Sequence, residues 1–408
     1  MITKRLTIYF HIGWICMGPA YSQNEPIRTI NTNEVYAITS KYSIRQMRVP
    51  FSSQNYETLF NQNLVFGFKT PGNPMNHIIE MSPSIINSGP LFGLPNTPSE
   101  REILNYNKVW SVLGHDIRYH IKDFSDNNHV DQKIPSLYAW PGRGNPHFEQ
   151  YNGFKLKRLD YDLAPFYDFN NDQIYNPDHG DYPQIEQANY DIIPSAIYYS
   201  VYHILKDLRL EFGFTNWTFH CEENSLLNKA IFSSYKITNY SIEDLVDFKF
   251  CSELDIVLGC PGDDYIGVDS TSNTCFWYNK NNVDGGSGSN CENMNIGFGS
   301  NPPAQFFSYL NHQMGSCSYL HTMHLTGLDK SLISNLNHYN CYLNGFRNNC
   351  LPYLNPLTNL QTLFPFNGDV TVSNSWSMYQ QNYPYPSNIR LYPTCRPGDI
   401  RKGQSIKV

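Results

Sequence analysis

Tyr198-Tyr-Ser-Val-Tyr-His-Ile204, Arg209-Leu-Glu-Phe-Gly-Phe214, Ala230-Ile-Phe-Ser-Ser-Tyr-Lys-Ile237 and Asp247-Phe-Lys-Phe-Cys251 decide the fold class of this 408-residue chain. In each run apolar or aromatic residues alternate with polar or small ones. A period of two sends successive side chains to opposite faces of a strand, so each run reads as a strand with one buried face. Four such runs separated by turn residues predict a mostly β protein. Its architecture is an antiparallel β-sandwich or jelly-roll-like pair of sheets with long loops and one or two short helices.

Composition agrees. Charged residues are 16% and aromatics 15%, with 30 Tyr, 26 Gly and 26 Pro, a profile of short strands and elaborate turns rather than helical bundles. A net charge of −7 gives no basic surface for nucleic acid, and no Lys/Arg run marks an anionic membrane surface. Residues 23–190 read as a loop-rich N-terminal β region, with apolar runs such as Asn63–Phe68 and a short helix over Asp116–Phe124. There Ile117, Ile121 and Phe124 share a face, with His120 at its edge. Residues 191–408 read as the sandwich-like region, with a second short helix near Leu328–Tyr339. Asp284-Gly-Gly-Ser-Gly-Ser289 reads as a flexible loop without the Lys of a phosphate-binding loop.

Met1–Arg5 is basic, Leu6 to Met17 is mostly apolar, and Ala20-Tyr21-Ser22 is a small-x-small cleavage site, so residues 1–22 read as a secretory signal peptide. No later run approaches the ~20 apolar residues that span a bilayer. Beyond the signal the cysteines are Cys221, Cys251, Cys260, Cys275, Cys291, Cys317, Cys341, Cys350 and Cys395, all in the second half. Export permits disulfides. Cys341 with Cys350 and Cys260 with Cys275 would each close a short loop, and the odd total leaves one thiol unpaired. The absence of C-x-x-C argues against a zinc ribbon or thioredoxin-like site.

The chemistry-bearing stretch is Asp168-Phe-Asn170-Asn-Asp172-Gln-Ile-Tyr-Asn176-Pro-Asp178-His-Gly180-Asp181. Oxygen-bearing side chains at alternate positions let a tight loop turn several donors toward one hard cation, and Ca²⁺ takes six to eight oxygens. The expected ligands are Asp168, Asn170, Asp172 and Asp178 or Asp181, with a backbone carbonyl near Ile174. Counting from Asp168, the closing twelfth position of an EF-hand falls on His179, a poor hard-cation ligand, so the loop is not a regular EF-hand. The competing reading is a surface loop whose carboxylates cap backbone N–H groups. Asp255, Asp263, Asp264 and Asp269 form a second, weaker acidic set beside glycines.

Several landmarks occur in an order that resembles large secreted surface proteins of Bacteroidetes-type bacteria, which usually carry a C-terminal sorting domain for type IX secretion. They are Asn105–Trp110, Ile134-Pro with Trp140-Pro141, the acidic loop through Gly180-Asp181-Tyr-Pro183, and Lys236–Asn239. Asp255–Gly259, Asp263–Asp269, Tyr339–Gly345 and Phe366–Asp369 follow. The resemblance spans roughly residues 100–400 and implies placement outside the cell, with no established activity. Three departures stand out. Val257 replaces the second acidic residue of the group's D-x-D-L-G pattern, Gln173 stands where Gly is usual, and no sorting domain is recognisable before Val408.

His321-Thr-Met-His324 lacks the Glu of a zinc hydrolase motif, and no G-x-S-x-G occurs. Trp217, Trp277 and Trp376 are candidates for a sugar-stacking platform or for core packing. The expectation is a secreted or outer-surface scaffold, non-enzymatic and stabilised by calcium, contacting surface glycans or other surface proteins. The alternative is a carbohydrate-active hydrolase using paired Asp carboxylates.

Overall fold

The computed structural model describes residues 27–48, 56–82, 85–91, 98–156, 163–185, 192–205, 208–222, 225–260, 262–285, 297–321, 336–383 and 389–408. The alternating runs form the centre of two antiparallel sheets. The first has six strands. Ser405–Lys407, Phe232–Asn239, Arg209–Thr218, Ala196–Leu205 and Ile86–Ser88 lie side by side, and Trp110–Leu113 also pairs with Ala196–Leu205. The second has eight strands, in the order Arg28–Ile30, Tyr36–Thr39, Ile44–Arg48, Leu59–Thr70, Leu245–Ile256, Ile389–Ile400 and Met314–His321, with Asn73–Glu80 added alongside Leu59–Thr70.

The sheets face each other across aromatic pairs. Phe212 meets Phe66 with ring centroids 5.6 Å apart, and Tyr235 meets Phe250 at 5.2 Å. Within the six-stranded sheet Tyr202 opposes Phe212 and Phe214 opposes Tyr235, and both pairs stack. Such cross-strand pairs pin register, because a slip of one residue would turn every ring to the other face.

Ala196–Leu205 has two buried faces rather than the single one expected. Tyr198 and Tyr202 enter the core between the sheets, while Ile197, Tyr199 and Val201 enter a second core with Trp110, Trp140 and Phe148. The six-stranded sheet is therefore a middle layer. Its outer cover is built from residues 98–185, including the helix Gly114–Asn127, which buries Ile117, His120 and Phe124 and ends at Asn128 in the left-handed conformation. On the far side of the eight-stranded sheet, Val65, Cys251 and Tyr392 carry the helix Leu336–Leu343 through Tyr339, Tyr342 and Leu343. A three-stranded sheet, Asp264–Asp269, Thr274–Asn279 and Ala304–Ser308, packs against the same core, and Trp277 Nε1 donates to the Thr58 carbonyl at 2.7 Å.

The division at residues 190/191 runs through both sheets. Leu59–Thr70 is bonded to Leu245–Ile256, and Ile86–Ser88 and Trp110–Leu113 are bonded to Ala196–Leu205. The second helix occupies Leu336–Leu343, and the part of its expected span before Leu336 lies outside the described residues. The expected signal peptide lies there too. No helix among the described residues is long and apolar enough to cross a membrane.

Candidate metal centre

Phe166–Tyr167 pairs with Tyr182–Pro183, so residues 168–181 form one closed loop. Its first half is a set of nested turns. The Asp168 carboxylate accepts the N–H groups of Asp172 at 3.2 Å and Gln173 at 2.8 Å. Asn170 Oδ1 accepts from Asp172 N at 3.1 Å, its amide donates to Asp172 Oδ2 at 2.8 Å, and Asp172 Oδ1 accepts from Ile174 N at 2.7 Å. Gln173 has φ +64, the left-handed backbone conformation that Gly adopts at least cost.

Asp181 closes the loop from inside. It is fully buried, and its two oxygens accept the N–H groups of Phe169 and Asn176, each at 2.8 Å. Burial pushes its carboxyl up to about 6; the two N–H bonds oppose this, while Asp168 and Asp172 add to it. Gly180 has φ +92 and lies against the Phe124 ring, fastening the loop to the long helix. Asp178 turns elsewhere. It bonds to the Tyr138 hydroxyl, and its Oδ2 is 3.0 Å from both Lys133 Nζ and His147 Nε2. Burial works against its charge, but Tyr138, Lys133 and His147 outweigh it and hold the carboxyl below the usual range.

Asp168, Asn170 and Asp172 thus share one hydrogen-bonded turn and Asp181 is joined to it, whereas Asp178 latches the loop to Lys133, Tyr138 and His147 of the same outer cover. The oxygens that take backbone N–H groups keep further lone pairs, and all these donors are hard. These bonds are those of carboxylates capping backbone N–H groups, and among the described residues no three acidic or His side chains of this loop bring ligand atoms within 4.8 Å of one another; Asp168, Asn170, Asp172, Asp181 and the Ile174 carbonyl are the hard oxygens it offers a cation. At the twelfth position His179 Nδ1 lies 3.7 Å from Asp172 Oδ2.

The second acidic set is divided. Asp255 pairs with Arg390 at 3.3 Å. Asp269, at the other end of the strand from Asp264, is capped by Thr271 and Ser272, whose hydroxyls draw it down to about 2. Asp263 and Asp264 come together with Asp284, which the sequence reading had placed in a flexible loop. An Asp directly before a Gly pair was the available signal.

Cys341 and Cys350 form a disulfide. The Cys260–Cys275 pairing is not formed: Cys260 is disulfide-bonded but Cys275 is a free thiol. The reason is orientation. Cys275 faces the core beside Met314 with its sulfur 3.0 Å from that of Cys317, while Cys260 sits in the turn after Gly259 with its N–H on Asp284.

Trp277 and Trp376 are buried, so they are core residues; Trp217 lines a shallow groove with Tyr199, Thr215, Lys236, Leu163 and Pro165. His321 stacks on Tyr383, and His324 lies outside the described residues. Comparison with protein-family models, curated proteins and solved structures finds no match to this chain.

Proposed function

We propose that the chain is an exported, calcium-stiffened β scaffold at or outside the outer cell surface, with a binding rather than a catalytic role toward surface glycans or other surface proteins. One observation carries the reading: nested turns of the Asp168–Asp181 loop carry closely spaced hard oxygens with lone pairs to spare, and Asp178 and Gly180 fasten that loop to the outer cover. The resemblance to secreted surface proteins and the N-terminal signal pattern support the location. A hydrolase would need two carboxylates ~5–9.5 Å apart facing a cleft. Asp263 and Asp284 do come close, but they are only 4% and 3% exposed, which favours the scaffold.

Thermal unfolding in Ca²⁺ and in EDTA tests the loop, with Asp168→Ala plus Asp172→Ala as the control. At free Ca²⁺ near 100 times Kd, linkage adds about 2.7 kcal/mol, a rise of several degrees in Tm. The double variant is expected to lose most of that rise. No calcium-dependent shift in the parent chain, or an undiminished shift in the double variant, would remove this loop from the reading.

A further inference from the structure

Beside the turn that follows Leu245–Ile256, three carboxylates are packed out of water. Asp263 is 4% exposed, Asp264 begins the strand Asp264–Asp269 fully buried, and Asp284, 3% exposed, ends Val283–Asp284. Carboxylate oxygens of Asp263 and Asp284 and the Cys260 sulfur all lie within 4.8 Å of one another. Asp284 is held from two sides, accepting the Cys260 N–H at 2.9 Å and the Phe298 N–H at 2.6 Å. Gly259 and Gly297, at φ +67 and +136, close over it, and a Cβ on Gly259 would fall 2.0 Å from Asp284 Oδ2.

Asp263 is treated differently. Among the described residues neither of its oxygens has a hydrogen bond of good geometry, although the Gly285 N–H and the Asn279 amide lie near enough to favour its charged form; Asp264 Oδ1 and Asn279 Oδ1 likewise have no well-formed bond. Lys280 does not neutralise the group, because its ammonium sits over the Tyr265 ring at 5.9 Å. An ionised carboxylate out of water costs several kcal/mol unless a counter-charge meets it. The Cys260 sulfur is already in a disulfide, so the cluster offers hard oxygens and no thiolate. Two oxygens on opposite sides of a Ca²⁺ at ~2.4 Å are about 4.8 Å apart, so this pair needs little movement to grip one.

We propose that Asp263 and Asp284 form the core of a second, buried calcium site, with Asp264 and the Asn279 amide supplying further oxygens. The ion would join the turn after Leu245–Ile256, the three-stranded sheet and the pair of Val283–Asp284 with Gly299–Ser300. This site stands independently of the Asp168 loop.

The test uses the full chain carrying Asp168→Ala and Asp172→Ala, so that calcium lost from the first loop is already accounted for. Bound Ca²⁺ is counted by equilibrium dialysis, and Tb³⁺ luminescence excited through nearby tyrosine and tryptophan reports occupancy. The background variant is expected to retain one bound Ca²⁺ per chain. Adding Asp263→Asn, which removes a charge but no well-formed hydrogen bond, is expected to raise half-saturating Ca²⁺ at least about tenfold and to raise Tm in EDTA. A background variant that binds no Ca²⁺ overturns the proposal, as does unchanged affinity in Asp263→Asn. A failure of Asp263→Asn to fold in EDTA also counts against it, because the charge would then be satisfied by the protein itself. If the parent and the background variant bind equal calcium, the first loop fails and this site does not.

Discussion

Asp181 and Asp263 are buried carboxyls, each held up to about 6. The folded chain therefore keeps their protons at pH values where the unfolded chain has released them. Their stabilisation is fully present below the unfolded value near 3.9 and is lost as pH rises to about 6. Asp264, Asp284 and Glu253 are raised by burial and act in the same sense. Asp178 and Asp172 are lowered and act in the opposite sense, but each side chain is about a third exposed (35% and 36%), so solvent screening reduces their effect. His120 and His203, lowered by burial, lose stability as pH falls through about 6.5, so the test is a difference between variants: in EDTA the Tm of the parent chain relative to Asp263→Asn is expected to rise as pH is lowered from about 7 to about 5. Saturating Ca²⁺ should flatten that rise by favouring the ionised form; a difference that falls over the same descent in EDTA would contradict the shift of Asp263. Gly180 gives a purely steric counterpart. At φ +92, with a Cβ position 2.6 Å from the Phe124 ring, Gly180→Ala is expected to cost ~1–3 kcal/mol in urea unfolding.

Among the elements, Thr274–Asn279 and Met314–His321 belong to different sheets, yet Cys275 and Cys317 bring their sulfurs to 3.0 Å. In an oxidising compartment exchange with a disulfide carrier would remove two electrons and two protons and join them, adding ~2–4 kcal/mol by restricting the unfolded chain. A non-reducing digest of chain recovered from that compartment should contain the linked Cys275–Cys317 peptide. Finding both thiols alkylatable after denaturation would count against export or against this geometry. The elements also show what periodicity can carry. Tyr198–Ile204 and Arg209–Phe214 were legible because alternation is a local property of a strand, and they grew to Ala196–Leu205 and Arg209–Thr218. That Tyr199 and Val201 also pack inward was not legible, because the Trp110 and Trp140 that cover them come from a loop-rich stretch with no period. The Asp168–Asp172 turn could be read from adjacent spacing. Asp284 could not be assigned to Asp263, since only the fold brings residues 21 positions apart into one buried cluster.

At the scale of the molecule, the middle sheet is covered on both faces by apolar and aromatic packing. The 163–185 segment puts Leu163, Ala164, Tyr175, Tyr182 and Ile185 into the outer core and is also fixed within that cover by polar latches. Trp140 Nε1 donates to the Pro165 carbonyl at 3.0 Å, the Tyr175 hydroxyl donates to the Leu137 carbonyl at 2.8 Å, and Asp178 holds Lys133 and His147. Local opening follows the weakest such unit rather than the whole fold. Removing calcium is thus expected to free residues 168–174 while the sandwich stays closed. Hydrogen exchange in EDTA should accelerate at the amides of Asp172, Gln173 and Ile174, which bond to Asp168, Asn170 and Asp172, by at least about tenfold. The amides of Tyr202 and Phe212, in the centre of the covered sheet, should keep their protection. Asp263→Asn should leave this pattern intact, since its cluster lies outside the loop. Equal acceleration across both sheets would make the loop part of the global unfolding unit, and no acceleration at Asp172–Ile174 would deny calcium any part in holding it.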